Sequence, residues 1–407
     1  MFAALAPGLL AVAIGGSTSA RPAEKQAQTA LGLPVDCRLG EECFVQQMPD
    51  IDPHGGILDP LCGNASYRGH DGWDIRLRSL KDIGRTAVLS VADGTVLRVR
   101  DGIPDRIFDR SQDSDLLGGK ECGNGVVVKH ANGMVSQYCH LKQGSVAVRP
   151  GTRIGKGESL GLIGASGLAE FPHVHLSIRR DGVTVEPLTG RPLAQGAETC
   201  GDTTDGLFEP SVERLLSKSP TAILDSGLAT APPALPNLVR EGGPPLVKLS
   251  EPIVVWVWAI NVERGSLFRI RLLDPDRTPI LDVETRALEG RKANYLAYVG
   301  GKHGRRAGGY DLRNNLRKAG LTLIWIPESS HDRTFHHHSI RPLGLARHLR
   351  DTRFSFAVPE QLERPNGQDD ARRTDCRRPN AGADSLARRS SGRRGNSWEE
   401  VKPVWLS

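Results

Sequence analysis

The sequence predicts an all-β chain: an antiparallel β domain, then a small β-sandwich-like domain, then a disordered tail. Three observations point that way. The chain of 407 residues carries 46 Gly and 27 Pro, a turn-rich composition. No stretch between residues 60 and 190 repeats its apolar residues at the helical period. Short apolar runs alternate there with turn dipeptides such as Asp93-Gly94 and Asn132-Gly133. At about 100–200 residues per domain, the length allows two domains with linkers.

In chain order, residues 1–20 are apolar and end in small residues, with Thr18 and Ala20 placed as a cleavage site requires. They are expected to be a signal peptide, followed by an N-terminal extension over 21–60. Residues 61–200 form the first domain. Two hairpins are expected in it, Ala87–Val91 with Thr95–Val99 and Val126–His130 with Met134–His140, and the alternation continues through Ser159–Ile163 and Val174–Ile178. Residues 201–250 turn to Pro, Ser, Gly and Ala and read as a linker, in which the amphipathic segment Val212–Leu216 caps the first domain. Strand texture returns over 251–327, where Trp256 and Trp258 share one face, an arrangement that suits core packing better than stacking on sugar rings. The Arg-rich segment 328–407 lacks apolar periodicity and reads as disordered.

The net charge of +6 is located in that tail: residues 331–407 hold 15 Lys+Arg against 10 Asp+Glu. The first domain therefore has no basic surplus to bind nucleic acid. No run of about 18 apolar residues predicts a membrane span. Seven cysteines in an exported chain favour disulfides. The expected pairs are Cys37 with Cys43, Cys122 with Cys139 and Cys62 with Cys200, leaving Cys376 over. A two-residue turn at Asn132-Gly133 would set Val126 opposite Cys139, so the second pair needs a bend at Gly123-Asn124-Gly125.

The chemistry concentrates in two short motifs. His70 and Asp74 lie four apart, and His173 and His175 two apart. Side chains on a strand alternate between faces, so each pair can address one point. Four N/O donors over-fill a catalytic zinc, which keeps three protein ligands and leaves a place for water. One of the four is thus free for proton chemistry, and spacing alone does not say which.

Gly69-His70-Asp71-Gly72-Trp73-Asp74-Ile75 and Phe171-Pro172-His173-Val174-His175-Leu176 resemble the two signatures of the lysostaphin-type (LytM, M23) zinc metallopeptidases. Tyr138-Cys139-His140-Leu141 resembles the segment between them, and Gly155, Gly157, Leu160-Gly161 and Gly164-Ala165-Ser166-Gly167 its glycine-punctuated run. The resemblance covers roughly residues 60–190. It implies an antiparallel β peptidase fold, one Zn2+ per chain held by His70, Asp74 and His175, and catalytic roles for His140 and His173. It further implies an exported enzyme of the periplasm, envelope or exterior, acting on peptide stems or cross-bridges of peptidoglycan. Gly72 and the glycines at 164–167 are expected to narrow the substrate cleft. Tyr67 is a candidate oxyanion donor, and Asn124 a candidate groove residue. A non-hydrolytic wall-binding or amidase-activator protein on the same fold is the alternative, and the complete set of five residues weighs against it. Glycoside hydrolysis lacks its usual carboxylate pair. The module at 251–327 carries no such chemistry, and targeting and packing are both open to it.

Overall fold

The structure, a computed structural model, describes residues 30–109, 111–113, 118–195, 200–245, 253–273, 279–301, 320–326 and 336–339. The signal-peptide region, Cys376 and most of the Arg-rich tail lie outside them. All strand pairs described are antiparallel, in agreement with the all-β expectation.

The first domain is built on strands β1 (Phe44–Gln47), β2 (Trp73–Arg76), β3 (Ala87–Leu89), β4 (Gly94–Arg100), β5 (Asn124–Lys129), β6 (Met134–Leu141) and β7 (Arg153–Ile154). It continues through β8 (Ser159–Leu162), β9 (His173–Arg180), β10 (Val183–Glu186) and β11 (Arg191–Pro192). The main sheet runs β1-β2-β9-β6-β5-β4-β7, with β10 on β9 and β11 on β10, and β3 pairs with β8 in a separate ribbon. One face supplies the core: Trp73, Ile75 and Leu77 pack with Tyr138, Val174, Leu176 and Ile178. Alternation then sends Asp74, His173 and His175 to the other face.

The Asn132-Gly133 hairpin forms as expected between β5 and β6. The hairpin expected at Asp93-Gly94 does not: β3 pairs with β8, and β4 with β5 and β7. The Asp93 carbonyl accepts from His130 Nδ1 at 2.9 Å, and its carboxylate accepts from the Lys156 amide at 2.7 Å. That corner moves the chain from the ribbon to the main sheet. All three expected disulfides are present, Cys37–Cys43, Cys62–Cys200 and Cys122–Cys139.

The linker expected over 201–250 is corrected by the structure. It contains helix α1 (Pro210–Leu216), strand β12 (Ala222–Ala229) and helix α2 (Leu235–Glu241). Val212 and Leu216 of α1 join the first domain's core, as their amphipathic spacing suggested. Strand β12 pairs along β13 (Ile253–Val262), which pairs in turn with β16 (Lys292–Gly301). A second sheet contains β14 (Leu267–Leu273), β15 (Pro279–Glu284), β17 (Gly320–Ile326) and β18 (His336–Ser339), in the order β15-β14-β17-β18. Phe268 on β14 stacks against Tyr295 on β16, with centroids 5.3 Å apart, which joins the two sheets as a sandwich.

The sandwich packs on the first domain. Trp256, Trp258 and Ile260 of β13 bury Phe44 of β1, together with Leu224 and Leu238. Trp256 and Trp258 are 2% and 1% exposed, so both are core residues. Polar ties cross the same boundary: Gln46 Nε2 donates to the Ala293 carbonyl (3.1 Å), and Asn261 Nδ2 to the carbonyls of Val45 (3.2 Å) and Gln46 (2.9 Å).

Candidate metal centre

Register brings the first and last motifs together. Strands β2 and β9 pair with Asp74 opposite His175 and Arg76 opposite His173. Directly opposite residues share a face, with Cβ atoms about 5 Å apart. His70 arrives from the turn before β2, and one ligand atom each from His70, Asp74 and His175 lie within 4.8 Å of one another.

His140 reaches the same place by a local irregularity. Val126 pairs with Tyr138 but Asn124 with Leu141, so β6 carries one residue more than β5 across this interval. That is a β-bulge, a feature that re-aims side chains beside active sites. His140 sits in it at φ 62°, a left-handed conformation costly for a side chain with a Cβ. Plain alternation would point His140 into the core with Tyr138; the bulge turns it to the site face while Leu141 returns to the core. Its ring centroid is 4.4 Å from that of His173. The bend needed for the Cys122–Cys139 bridge is at this bulge.

Each imidazole is oriented by its second nitrogen. His70 Nδ1 faces the Met48 carbonyl at 2.8 Å, His140 Nδ1 that of Ser166 at 2.8 Å, and His173 Nδ1 that of Phe171 at 2.7 Å. A carbonyl only accepts, so these Nδ1 atoms carry hydrogen and the Nε2 lone pairs are free. Nε2 of His70 is 3.2 Å from Asp74 Oδ2, and Nε2 of His173 is 3.6 Å from Asp74 Oδ1. His175 is reversed. Its Nε2 lies 3.1 Å from Asp71 Oδ1, and its Nδ1 faces Asp74 Oδ1 at 2.9 Å and His70 Nε2 at 3.2 Å. Asp71 thus completes a carboxylate–histidine pair of the kind that orients metal ligands. It stands inside the first motif but is not legible there, because its role depends on His175, which folding brings from 104 residues away.

The electrostatics suit a cation. Burial works against ionised Asp74, but the imidazoles of His70, His173 and His175 hold its carboxyl well below the usual range. Burial also opposes a charged His175, and the carboxylates of Asp71 and Asp74 overcome it, raising the imidazole to about 10. His140 is pushed well below its ordinary value by burial and by His173 and His175; His173 is lowered mainly by burial. Two converging imidazoles and a carboxylate are a donor set that fits zinc, whose binding would displace the Nδ1 proton of His175. Two neutral imidazoles stand beside them.

Tyr67 lies with its ring 4.5 Å from that of His70 and is 36% exposed, at the solvent edge of the site. Desolvation of its hydroxyl, with the charges of Asp74, Asp71 and Glu170, keeps the phenol protonated well beyond neutral pH. Asn124 is corrected: it is fully buried, and its side chain bonds to Ile103 and Leu141, so it braces the bulge and lines no groove. A Cβ on Gly164 would meet the Lys142 amide nitrogen at 2.3 Å, so this glycine lets the 164–167 turn press against the end of β6, where Ser166 can hold His140.

Residues 68–187 match the model of Peptidase family M23. Over 118 residues, 28% of this chain and 19% of the relative, the sequence is 30% identical to "Cell division protein DipM" of Caulobacter vibrioides. It is 36% identical over 67 residues to "DD-carboxypeptidase/endopeptidase Mpg" of Neisseria meningitidis, and 31% identical over 67 residues to "Peptidoglycan DD-endopeptidase ShyC" of Vibrio cholerae. Each of these two stretches is 16% of this chain and 15% of the relative. The chain therefore spans less than a fifth of the length of these curated relatives. The matched segment contains His70, Asp74, His140, His173 and His175, and over residues 68–187 the chain carries a segment of the peptidase family M23 type.

Proposed function

We propose that the chain is an exported zinc metalloendopeptidase that hydrolyses peptide cross-links of bacterial peptidoglycan. The observation that carries this reading is the convergence of His70, Asp74 and His175 within 4.8 Å, with the tilted rings of His140 and His173 in contact beside them. The names of two relatives, both endopeptidases and one of peptidoglycan, support the substrate class. Three disulfides in the described chain support export.

His70 through Nε2, His175 through Nδ1 and Asp74 through its carboxylate would hold the ion. Zinc, when bound, supplies Lewis acidity that acidifies water and polarises a carbonyl under attack. The protein supplies the rest. His140 and His173 are neutral at pH 7 with Nε2 unprotonated, so either can take a proton from the attacking water and return one to the leaving amine. Their Nδ1 bonds to backbone carbonyls fix that tautomer through the cycle. Tyr67 keeps a hydroxyl proton at the exposed rim, where it can donate to an oxyanion.

The test is zinc-loaded protein incubated with purified sacculi, the products read by mass spectrometry. Cleaved stems are expected from the native chain. His70→Ala, Asp74→Ala and His175→Ala lose zinc and activity together, whereas His140→Ala and His173→Ala keep zinc and lose turnover. Intact sacculi with the loaded protein would overturn the hydrolytic reading in favour of the activator alternative. Equal zinc loss in all five variants would overturn the division of roles.

A further inference from the structure

Beyond His173 the site face of the main sheet continues to Arg76, and Arg76 reaches the sandwich. Four flat groups follow one another. The Trp258 ring lies 5.0 Å from the Arg76 guanidinium carbon, which lies 4.5 Å from the Phe171 ring, whose centroid is 4.6 Å from that of His173. Phe171 also holds His173 through its backbone, by the carbonyl that accepts from Nδ1. The next carbonyl, of Pro172, accepts from the Leu77 amide at 2.9 Å, so the turn before β9 is tied to the residue after Arg76.

Arg76 is an expensive way to fill this space. It is 1% exposed, and its hydrogen bonds go to neutral acceptors: the Leu77 carbonyl (3.1 Å), Gln46 Oε1 (2.6 Å) and, at the long limit, the Arg78 carbonyl (3.4 Å). Among the described residues no carboxylate is paired with the guanidinium. A buried ion without a counter-ion costs more than an apolar side chain of the same shape. Two aromatic faces offset part of that cost. What an apolar side chain would not supply is orientation: a planar cation between two rings favours ring-over-cation geometry on both sides, and one of those rings belongs to the segment that places His173.

We propose that Arg76 is a positioning residue for His173, clamped between Phe171 and Trp258, and that the sandwich contributes Trp258 to the catalytic architecture. This rests on the assignment of His173 to proton transfer. The sandwich is then a structural part of the enzyme, since without Trp258 one face of the guanidinium is open to water.

The test uses the zinc-loaded full chain and four variants: Arg76→Met, Trp258→Leu, Trp258→Phe and Phe171→Leu. Zinc content, kcat and KM on a soluble cross-link peptide, and the imidazole nitrogen resonances of 15N-histidine-labelled protein are measured together. Arg76→Met should keep one zinc and a KM within about twofold, and lose about 10–100-fold in kcat, the scale of a misplacement of roughly 1 Å. The His173 resonances should move while those of His70 and His175 stay. Trp258→Leu and Phe171→Leu should behave alike, and Trp258→Phe, which keeps an aromatic face, should recover most of the turnover. Wild-type kcat with unmoved His173 signals in Arg76→Met overturns the proposal, and so does a kcat loss that only parallels loss of zinc. If Arg76→Met does not fold, the Trp258→Leu and Trp258→Phe pair decides on the same readouts. If the native chain cleaves no peptide, the enzymatic reading fails, and the nitrogen resonances still decide whether Arg76 positions His173.

Discussion

Replacing Gly72 by Ala gives the sharpest test of how the metal centre is built. A Cβ at this position would stand 2.5 Å from His175 Nε2, 2.5 Å from the Leu176 carbonyl oxygen and 2.6 Å from His175 Cε1. Ordinary non-bonded contact begins near 3.5 Å, so something must give by roughly 1 Å. The Leu176 carbonyl is backbone of the central strand β9, with β2 and β6 on either side. The His175 ring is the softer partner, and its movement stretches the 3.1 Å bond to Asp71. Overpacking of this kind costs about 1–3 kcal/mol, and loss of a carboxylate behind a ligand weakens metal binding about 10–100-fold. Thermal unfolding in chelator reads the first effect, and competition with a chromophoric chelator reads the second. Gly69→Ala is the internal control. Gly69 has φ +76° and nothing within 4 Å of its Cβ position, so Ala there adds backbone strain of about 1–2 kcal/mol and leaves zinc affinity unchanged. Native-like zinc affinity in Gly72→Ala, or equal weakening in Gly69→Ala, would refute the reasoning.

Other perturbations test the surroundings. Asp71→Ala, which removes the acceptor of His175 Nε2, should raise the zinc dissociation constant about 10–100-fold; unchanged affinity by titration calorimetry would exclude the orienting role. Removing both Cys62 and Cys200, 138 residues apart, should cost about 4–5 kcal/mol by loop entropy, measured as a denaturant midpoint against the oxidised parent. His130 is lowered below 6.5 by burial, so folding favours its neutral form: it contributes nothing above pH 6.5 and subtracts stability as pH falls from there toward its folded value. His130→Gln should therefore flatten the pH dependence of the midpoint below about pH 6.5, and an unchanged slope would rule this out. A chain ending at residue 218 should unfold at lower temperature than the full chain, because Phe44, 1% exposed, loses its cover of Trp256 and Trp258; an equal midpoint would restore the tethered-module reading.

Much of the site was legible because strand periodicity is rigid. Once His173-Val174-His175 lies on a strand, its two imidazoles share a face, and Asp74 needs only register to meet them. The Asn132-Gly133 hairpin and the three cysteine pairs were legible for similar local reasons. What was not legible depended on partners distant in sequence. Asp93-Gly94 has the composition of a hairpin turn, but Asp93 spends its oxygens on His130 and Lys156, and the strands on either side pair elsewhere. Residues 201–250 read as a tether because of their prolines. Pro210 and Pro236 instead occupy the first turns of α1 and α2, where a missing amide costs nothing. Strand β12 is a sheet edge whose pattern has meaning only beside β13. Asp71 and Arg76 were invisible for the same reason, since each matters through a group that folding brings to it.

The bulge at His140 shows why so much of the structure is spent on holding one residue out of line. An extra residue in β6 carries a conformational cost, and without restraint the pairing could relax by one position, returning His140 to the core side. One disulfide and four hydrogen bonds oppose this. The Cys122–Cys139 bridge spans the β5 end and the residue before His140. The His140 amide donates to the Cys122 carbonyl at 2.8 Å, and the Gly164 amide to the His140 carbonyl at 3.1 Å. Ser166 accepts from His140 Nδ1 and donates Oγ–H to the Leu141 carbonyl at 2.7 Å. These ties run to two segments, Cys122 beside β5 and the 164–167 turn, and none involves His70, Asp74 or His175. His140 is therefore placed by the sheet, by a disulfide and by the glycine turn, while Asp74 and His175 are placed by register. A site assembled this way is preorganised by the polypeptide, so a metal ion entering it would find the proton-transfer groups already in position.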